Sequence, residues 1–341
     1  MLDRSRVIYA LEREREAFVR YGAEQRQQQH IADHWLRLFE QHSSDELCRQ
    51  VAGIPWPGAL PTPELDEAGG LLMPFPPSWE NHQEARAWAL QTLNRQCTIA
   101  VDGSQIAPDP IYTIPVGAIQ VGWFVNPHDG EQAYVKDIEF AVLPPDELRG
   151  ADDEESYAVQ TVNQRRFVRE CERLRELMVE YGGRNGLRPA LSFFDGSFII
   201  SFAGKIRAGR AQPYVHSVRE LLTTSARLQS PLVGFVDMSN SRDIANLVQN
   251  LGGLEPGLPE LSDAALLRTI LPGWGDRTPF FICARPDALS RDEPGIFYKD
   301  VVFCYIRLNR QRPPARLEMP RWILENGQAE QVVNLVRAEC V

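Results

Sequence analysis

Lysine is nearly missing from this chain. It occurs only at positions 136, 205 and 299, so almost all of the 36 basic side chains are arginine, set against 46 acidic ones and a net charge of −10. That balance excludes a free-standing protein that coats DNA regardless of sequence, because such binding is driven by release of counterions from phosphates. Any nucleic-acid site has to be local. Arginine suits two-pronged phosphate contacts, although a codon bias would leave the same composition.

Long hydrophobic runs are missing as well. No stretch approaches the roughly 18 apolar residues that a membrane helix needs, and the opening MLDRSRVIYALERERE has no apolar segment of the secretory kind. The cytoplasm is the expected location. Cysteines 48, 97, 171, 283, 304 and 340 stand singly with no CxxC pair, which excludes a zinc ribbon and argues against a disulfide framework. They read as reduced, buried thiols. His82, His128 and His216 are scattered, and His30 and His34 share a helix face without a third ligand nearby. GxSxG, Walker A and GxGxxG are absent, and AGKIRAGR has its glycines and lysine in the wrong order for a phosphate loop.

What is present fits an α/β protein, and 341 residues allow one large domain with helical additions. Residues 1–50 read as a helical arm carrying Val7, Leu11, Phe18, Ile31, Trp35 and Leu38 among charges. Residues 51–78 form a Pro-rich linker that is neither regular helix nor central strand. Ser78 is expected to cap a helix with Ala85, Trp88, Ala89 and Leu93 on its apolar face. From residue 97 three β-rich runs predict an antiparallel meander. An acidic stretch at 146–155 then leads to a helix over 156–181, stopped by Gly182 and Gly183. Beyond it come the strand PALSFFDGSFIISF, a helix near 211–228, LVGFVD, helices at 240–251 and 261–270, the strands PFFICA and VVFCYIRL, and a last helix near 328–339. Together these describe a mixed sheet flanked by helices, with an N-terminal helical extension.

The chemistry concentrates in a repeated triplet. In TIAVDGSQI and LSFFDGSFI an apolar run ends in Asp, and Gly permits a sharp turn, so Asp102 and Asp195 are expected to project from strand ends. A simple β-turn explains either triplet alone. Two carboxylates brought together repel unless a cation or proton lies between them, and hard ions such as Mn²⁺ or Mg²⁺ match them. Glu170 is the candidate third carboxylate, falling among Phe167, Leu174, Leu177 and Met178 on the sheet-facing stripe of its helix. Glu172 and Glu176 read instead as a solvated lattice with Arg169, Arg173 and Arg175. After Asp195, residues 196–219 contain Lys205, Arg207, Arg210 and Arg219 and no acid. The first three are candidate phosphate contacts beside the carboxylates, or simply a solvated face. Asp237 ends another strand and suits capping or indirect support more than ligation.

At VDGSQI, FFDGSF and the closing VFCYIRL with RLEMPRW, the chain resembles the NurA nucleases, from about Trp79 onward. The resemblance implies a ribonuclease H-like (Piwi-like) fold over 79–341 and a manganese-dependent exonuclease and single-strand endonuclease acting in DNA end processing and double-strand break repair. It also implies a homodimer that works with a hexameric HerA-type ATPase. Family metal ligands would fall on Asp102, Glu170 and Asp195, with Glu172 the alternative on the helix. The segment that in the family comes after the closing helix, with a further metal-site residue, is expected to be missing or replaced, for instance by Asp237. Two rival readings remain: a catalytically weak dimeric adaptor for the ATPase or DNA, and an actin-like phosphotransferase, for which paired glycine-rich loops are lacking.

Overall fold

Alternating apolar residues after Gln96 build the sheet from its middle outward. The computed structural model describes residues 3–109, 111–130, 133–148, 155–183, 188–202, 206, 208–252, 262–285 and 298–341. Helices α1 (Arg4–Arg13), α2 (Arg15–Leu36), α3 (Leu38–Gln41) and α4 (Ser44–Gln50) come first, then β1 (Gly58–Pro61) and α5 (Glu64–Ala68). Helix α6 (His82–Leu93) leads into the expected meander, β2 (Thr98–Ile106), β3 (Gly117–Asn126) and β4 (Val135–Leu143), followed by α7 (Pro145–Leu148) and the long α8 (Glu155–Glu180). The remainder alternates: β5 (Leu191–Asp195), α9 (Ala208–Leu228), β6 (Leu232–Val236), α10 (Asp243–Leu251), α11 (Asp263–Leu266), β7 (Phe281–Ala284), β8 (Val301–Ile306), β9 (Ala315–Pro320), α12 (Arg321–Glu325) and α13 (Ala329–Glu339). Among the described residues no helix is long and apolar enough to cross a membrane.

All of these strands join one mixed sheet in the order β1-β7-β8-β9-β6-β5-β2-β3-β4. Strands β2, β5 and β6 run parallel, and the rest of the pairing is antiparallel. Helix α8 lays Cys171, Leu174, Leu177 and Met178 against Ile99 and Val101 of β2, and α9 continues that layer. On the opposite face α6 and α13 bury Leu191 of β5 and Val233 of β6, together with Leu317 and Met319 of β9. This second layer does not reach across β3 and β4. Phe124, Ile138, Phe140 and Val142 stand exposed there.

Several expectations need correction. The helix after the Pro-rich passage is capped by Asn81, whose side chain accepts from the Glu84 N–H, and not by Ser78. The Pro-rich passage itself supplies β1, which pairs with β7 at the sheet edge, where a proline costs no interior ladder bond. The strand after α8 stops at Asp195 and does not continue through Phe202. Between 261 and 270 the regular helix is only Asp263–Leu266. Strand β9 was not expected, because Arg316 and Glu318 interrupt its apolar pattern, yet all six of its residues are buried. The cysteines are all free, but only Cys171, Cys283 and Cys304 are buried, with Cys48 and Cys97 half-buried and Cys340 exposed. Burial pushes the Cys97 thiol up to about 11 and those of Cys283 and Cys304 up to about 12, so these three stay protonated and unreactive at neutral pH.

Buried charges tie distant segments together. Arg277, 1% exposed, donates to Glu64 at 2.8 and 3.0 Å and to Glu330 at 3.0 and 2.8 Å. Arg337 reaches the same Glu330 at 2.6 Å. Phe75, Trp79, Trp88 and Trp274 pack together over this cluster, edge to face or tilted, with Arg337 4.5 Å above the Phe75 ring.

Candidate functional site

Parallel pairing brings the two aspartates into line. Residues 98–101 of β2 pair in step with 191–194 of β5, so Asp102 and Asp195 are the next residues along two adjacent parallel strands. Both are exposed. Strand alternation turns both side chains to the face away from α8, since Ile99, Val101 and Phe194 occupy the α8 side. Asp102 lines an open cavity of about 640 Å³ with Ala100, Ser104, Gly122, Phe124, Lys136 and Ile138.

The two triplets differ in backbone. Asp195 ends its strand as expected, and Gly196 turns with φ +144°, a conformation that favours glycine. Asp102 does not end a strand. Strand β2 runs on to Ile106, paired with β3 throughout, so the expected turn at Gly103 is absent. Gly103 is required for space instead: a Cβ there would overlap the Glu170 carboxylate and lie 2.9 Å from Arg166 Cγ.

Glu170 therefore reaches the β2 backbone from the helix side, one residue from Asp102. Burial raises its carboxyl above the ordinary value and the nearby Asp102 charge adds to this, while Arg166 opposes both. Arg166 is bonded to Glu170 and also donates to the Gly103 carbonyl at 3.2 Å and to Gln105 Oε1 at 2.6 Å. Its role was not read from the sequence, although the Arg166–Glu170 spacing of four on a helix was a visible signal. Glu172 lies in the exposed lattice with Arg169, as expected, and Arg169 also pairs with Glu176 and Glu139. Asp237 is engaged by Arg312.

The predicted basic strip is only partly described. Lys205 and Arg207 lie outside the described residues. Arg210 opens α9 and donates to Gln160 at 2.5 Å, on the α8 side of the sheet rather than on the face that carries the aspartates. Arg219 is exposed further along the same helix.

As a donor set, Asp102 and Asp195 offer oxygens on one face to a hard divalent ion. The third position is not assembled. Among the described residues no three His, Cys, Asp or Glu side chains are gathered closely enough to hold a metal ion together, and Glu170 is engaged by Arg166.

Glu318 is a buried carboxylate beside the site that the sequence did not reveal. It lies fully buried on β9 and accepts from Ser197 Oγ at 2.9 Å and from the Phe198 N–H at 2.7 Å, directly behind the Asp195 turn. An acid between Leu317 and Met319 was its only trace.

No curated protein matches the chain in sequence. Among solved structures it is similar to a crystal structure of NurA with manganese and to one of NurA bound to dAMP and manganese. Both show 9% identity and a TM-score of 0.39, covering 72% and 71% of this chain and 82% and 80% of those chains. Endonuclease V of Ciona intestinalis, in complex with a 24mer DNA containing an inosine followed by a ribo-adenosine, is similar at 9% identity and a TM-score of 0.27, over 75% of this chain and 86% of that one. Likeness this loose adds nothing to the assignment, which rests on the sequence family. The NurA domain matches residues 97–340, from the start of the meander to the last helix, and the chain therefore belongs to the NurA family.

Proposed function

We propose that the chain is a metal-dependent deoxyribonuclease that cuts DNA at ends and within single strands, in DNA end processing and double-strand break repair. The observation that carries this reading is the placement of Asp102 and Asp195, in step on adjacent parallel strands and exposed on one face. The antiparallel meander β2–β3–β4 continued by parallel β5 and β6 supports a ribonuclease H-like core. In this reading Asp102 and Asp195 hold Mn²⁺ or Mg²⁺, while Glu170, engaged by Arg166 on the opposite face of β2, supports the centre from behind Gly103. The bound ion would supply an activated water and stabilise the leaving oxygen. Asp102 and Asp195 orient that centre, Ser104 and Lys136 line the cavity at Asp102, and Lys205 and Arg207 would grip phosphates beyond it, whereas Arg210, on the α8 side, stands apart.

A homodimer and a HerA-type hexameric ATPase are proposed as partners, supported by the exposed apolar residues Phe124, Ile138, Phe140 and Val142 on the uncovered sheet face. The adaptor reading keeps one observation in its favour, the engagement of Glu170 by Arg166. Cleavage of linear and single-stranded DNA with Mn²⁺, Mg²⁺ or chelator separates the two. Wild-type cutting that stops with chelator and in both Asp102→Ala and Asp195→Ala is expected. Metal-independent cutting, or cutting unchanged in both variants, sinks the nuclease assignment, and an inert wild type that still binds the ATPase favours the adaptor.

A further inference from the structure

Asp195 is the last residue of β5, pairs with Phe235 of β6 and is exposed; alternation sets the face it points to, and beyond it the strand gives way to a turn. The three residues after it are held tightly. Glu318 uses both carboxylate oxygens on them: Ser197 Oγ sits 2.9 Å from each, and the Phe198 N–H donates to Oε2 at 2.7 Å. The turn is also pressed onto β6, where a Cβ on Gly234 would come within 2.9 Å of the Gly196 carbonyl oxygen. Glu318 itself cannot swing away. Arg316 donates to its Oε1 at 2.6 Å, and Arg316 is fixed in turn by Asp243 at 2.7 Å and by the face of the Phe303 ring 3.7 Å away.

We propose that Glu318 is a positioning residue, whose buried carboxylate, anchored by Arg316, fixes the Ser197–Phe198 turn and thereby aims Asp195 at the side of Asp102. The proposal rests on the nuclease reading for what Asp195 does, and on the structure alone for what Glu318 holds. A buried, paired carboxylate is an expensive clamp, since removing either partner strands a charge in the core. Its value here is precision, because a shift of about 1 Å in a reacting group costs on the order of a hundredfold in rate.

The test compares the full-length protein with Glu318→Gln, Ser197→Ala and Ser197→Thr. Ser197→Ala removes the clamp's hydroxyl without touching the Glu318–Arg316 pair, and so guards against a Glu318 variant that fails to fold. Hydrogen exchange of the Gly196–Phe198 amides is expected to quicken about tenfold or more in Ser197→Ala and to return toward wild type in Ser197→Thr. The Mn²⁺-induced rise in Tm is expected to shrink in Ser197→Ala while the metal-free Tm stays put. Single-strand cleavage is expected to lose kcat by roughly tenfold with KM unchanged. Unchanged exchange overturns the clamp, and quickened exchange with Mn²⁺ binding and kcat intact overturns its role in aiming Asp195. If Asp195→Ala cuts like wild type, the nuclease reading fails, while the exchange and Mn²⁺ arms still judge Glu318 by themselves.

Discussion

The two Asp-Gly-Ser triplets are identical in letters, and their glycines serve opposite ends. Gly103 sits in extended backbone paired with β3 and is small because Glu170 and Arg166 fill the place of a side chain. Gly196 bends the chain, with φ +144°, and Glu318 grips the two residues after it. The first glycine makes room for a neighbour, and the second makes a corner. Their difference shows that a local pattern reports which residue is tolerated and leaves open whether backbone or neighbour demands it.

The comparison can be broken most directly at the aspartates. If the proposed metal centre stands, Asp102→Ala and Asp195→Ala are each expected to lower kcat by roughly a thousandfold, the loss of several kcal/mol of transition-state charge stabilisation. Near-wild-type cleavage by either one would separate the triplets into two unrelated features. The glycines come next. Gly103→Ala keeps its backbone conformation but evicts the Glu170 carboxylate, so about a hundredfold loss of cleavage with little change in Tm is expected. Gly196→Ala should do the reverse first, costing about 1–3 kcal/mol in urea unfolding because an L side chain is strained at that φ. If Gly103→Ala is the more unstable of the two, the contrast is wrong.

The smallest effect concerns the ion network behind the second triplet alone. Asp263 is fully buried, accepts from the N–H groups of Asp243, Ile244 and Ala245, and receives the Tyr305 hydroxyl at 3.0 Å. Burial, joined by the charge of Asp243, raises its carboxyl above the ordinary 3.8. As pH rises the unfolded chain therefore gives up this proton first. The stability that protonated Asp263 contributes is complete below about 3.8 and is lost as pH climbs through the higher folded value. Urea unfolding at a series of pH values should find Asp263→Asn gaining on wild type over that climb, by on the order of 1 kcal/mol. A flat difference would show that Asp263 titrates in the fold as it does unfolded.

Much of the sheet was legible because its strands are buried on one or both faces and alternate accordingly. Strand β9 was hidden by Arg316 and Glu318, whose charges are fully buried only because Asp243, Ser197 and the Phe198 amide lie elsewhere in the chain. Strand β1 was hidden by prolines that an edge tolerates. At the site, the helical stripe singled out Glu170, and the structure places it against Gly103. The basic strip misled for Arg210, since nothing in its sequence says on which side of the sheet a helix lies. The same limit applied to Arg166, whose i+4 link to Glu170 was in view but whose reach to the Gly103 carbonyl was not.

The Arg277 cluster bears on how the protein comes into being. Glu64 leaves the ribosome early, yet its partner Arg277 emerges only after 213 residues, and Glu330, which completes the pairing, later still. Until then the edge strand β1 has no β7 to pair with, and a carboxylate destined for the interior stays in water. The sheet cannot close from the N-terminus inward as it is made. It waits for nearly the whole chain, a long-range closure that slows folding and leaves unpaired strand edges open to self-association.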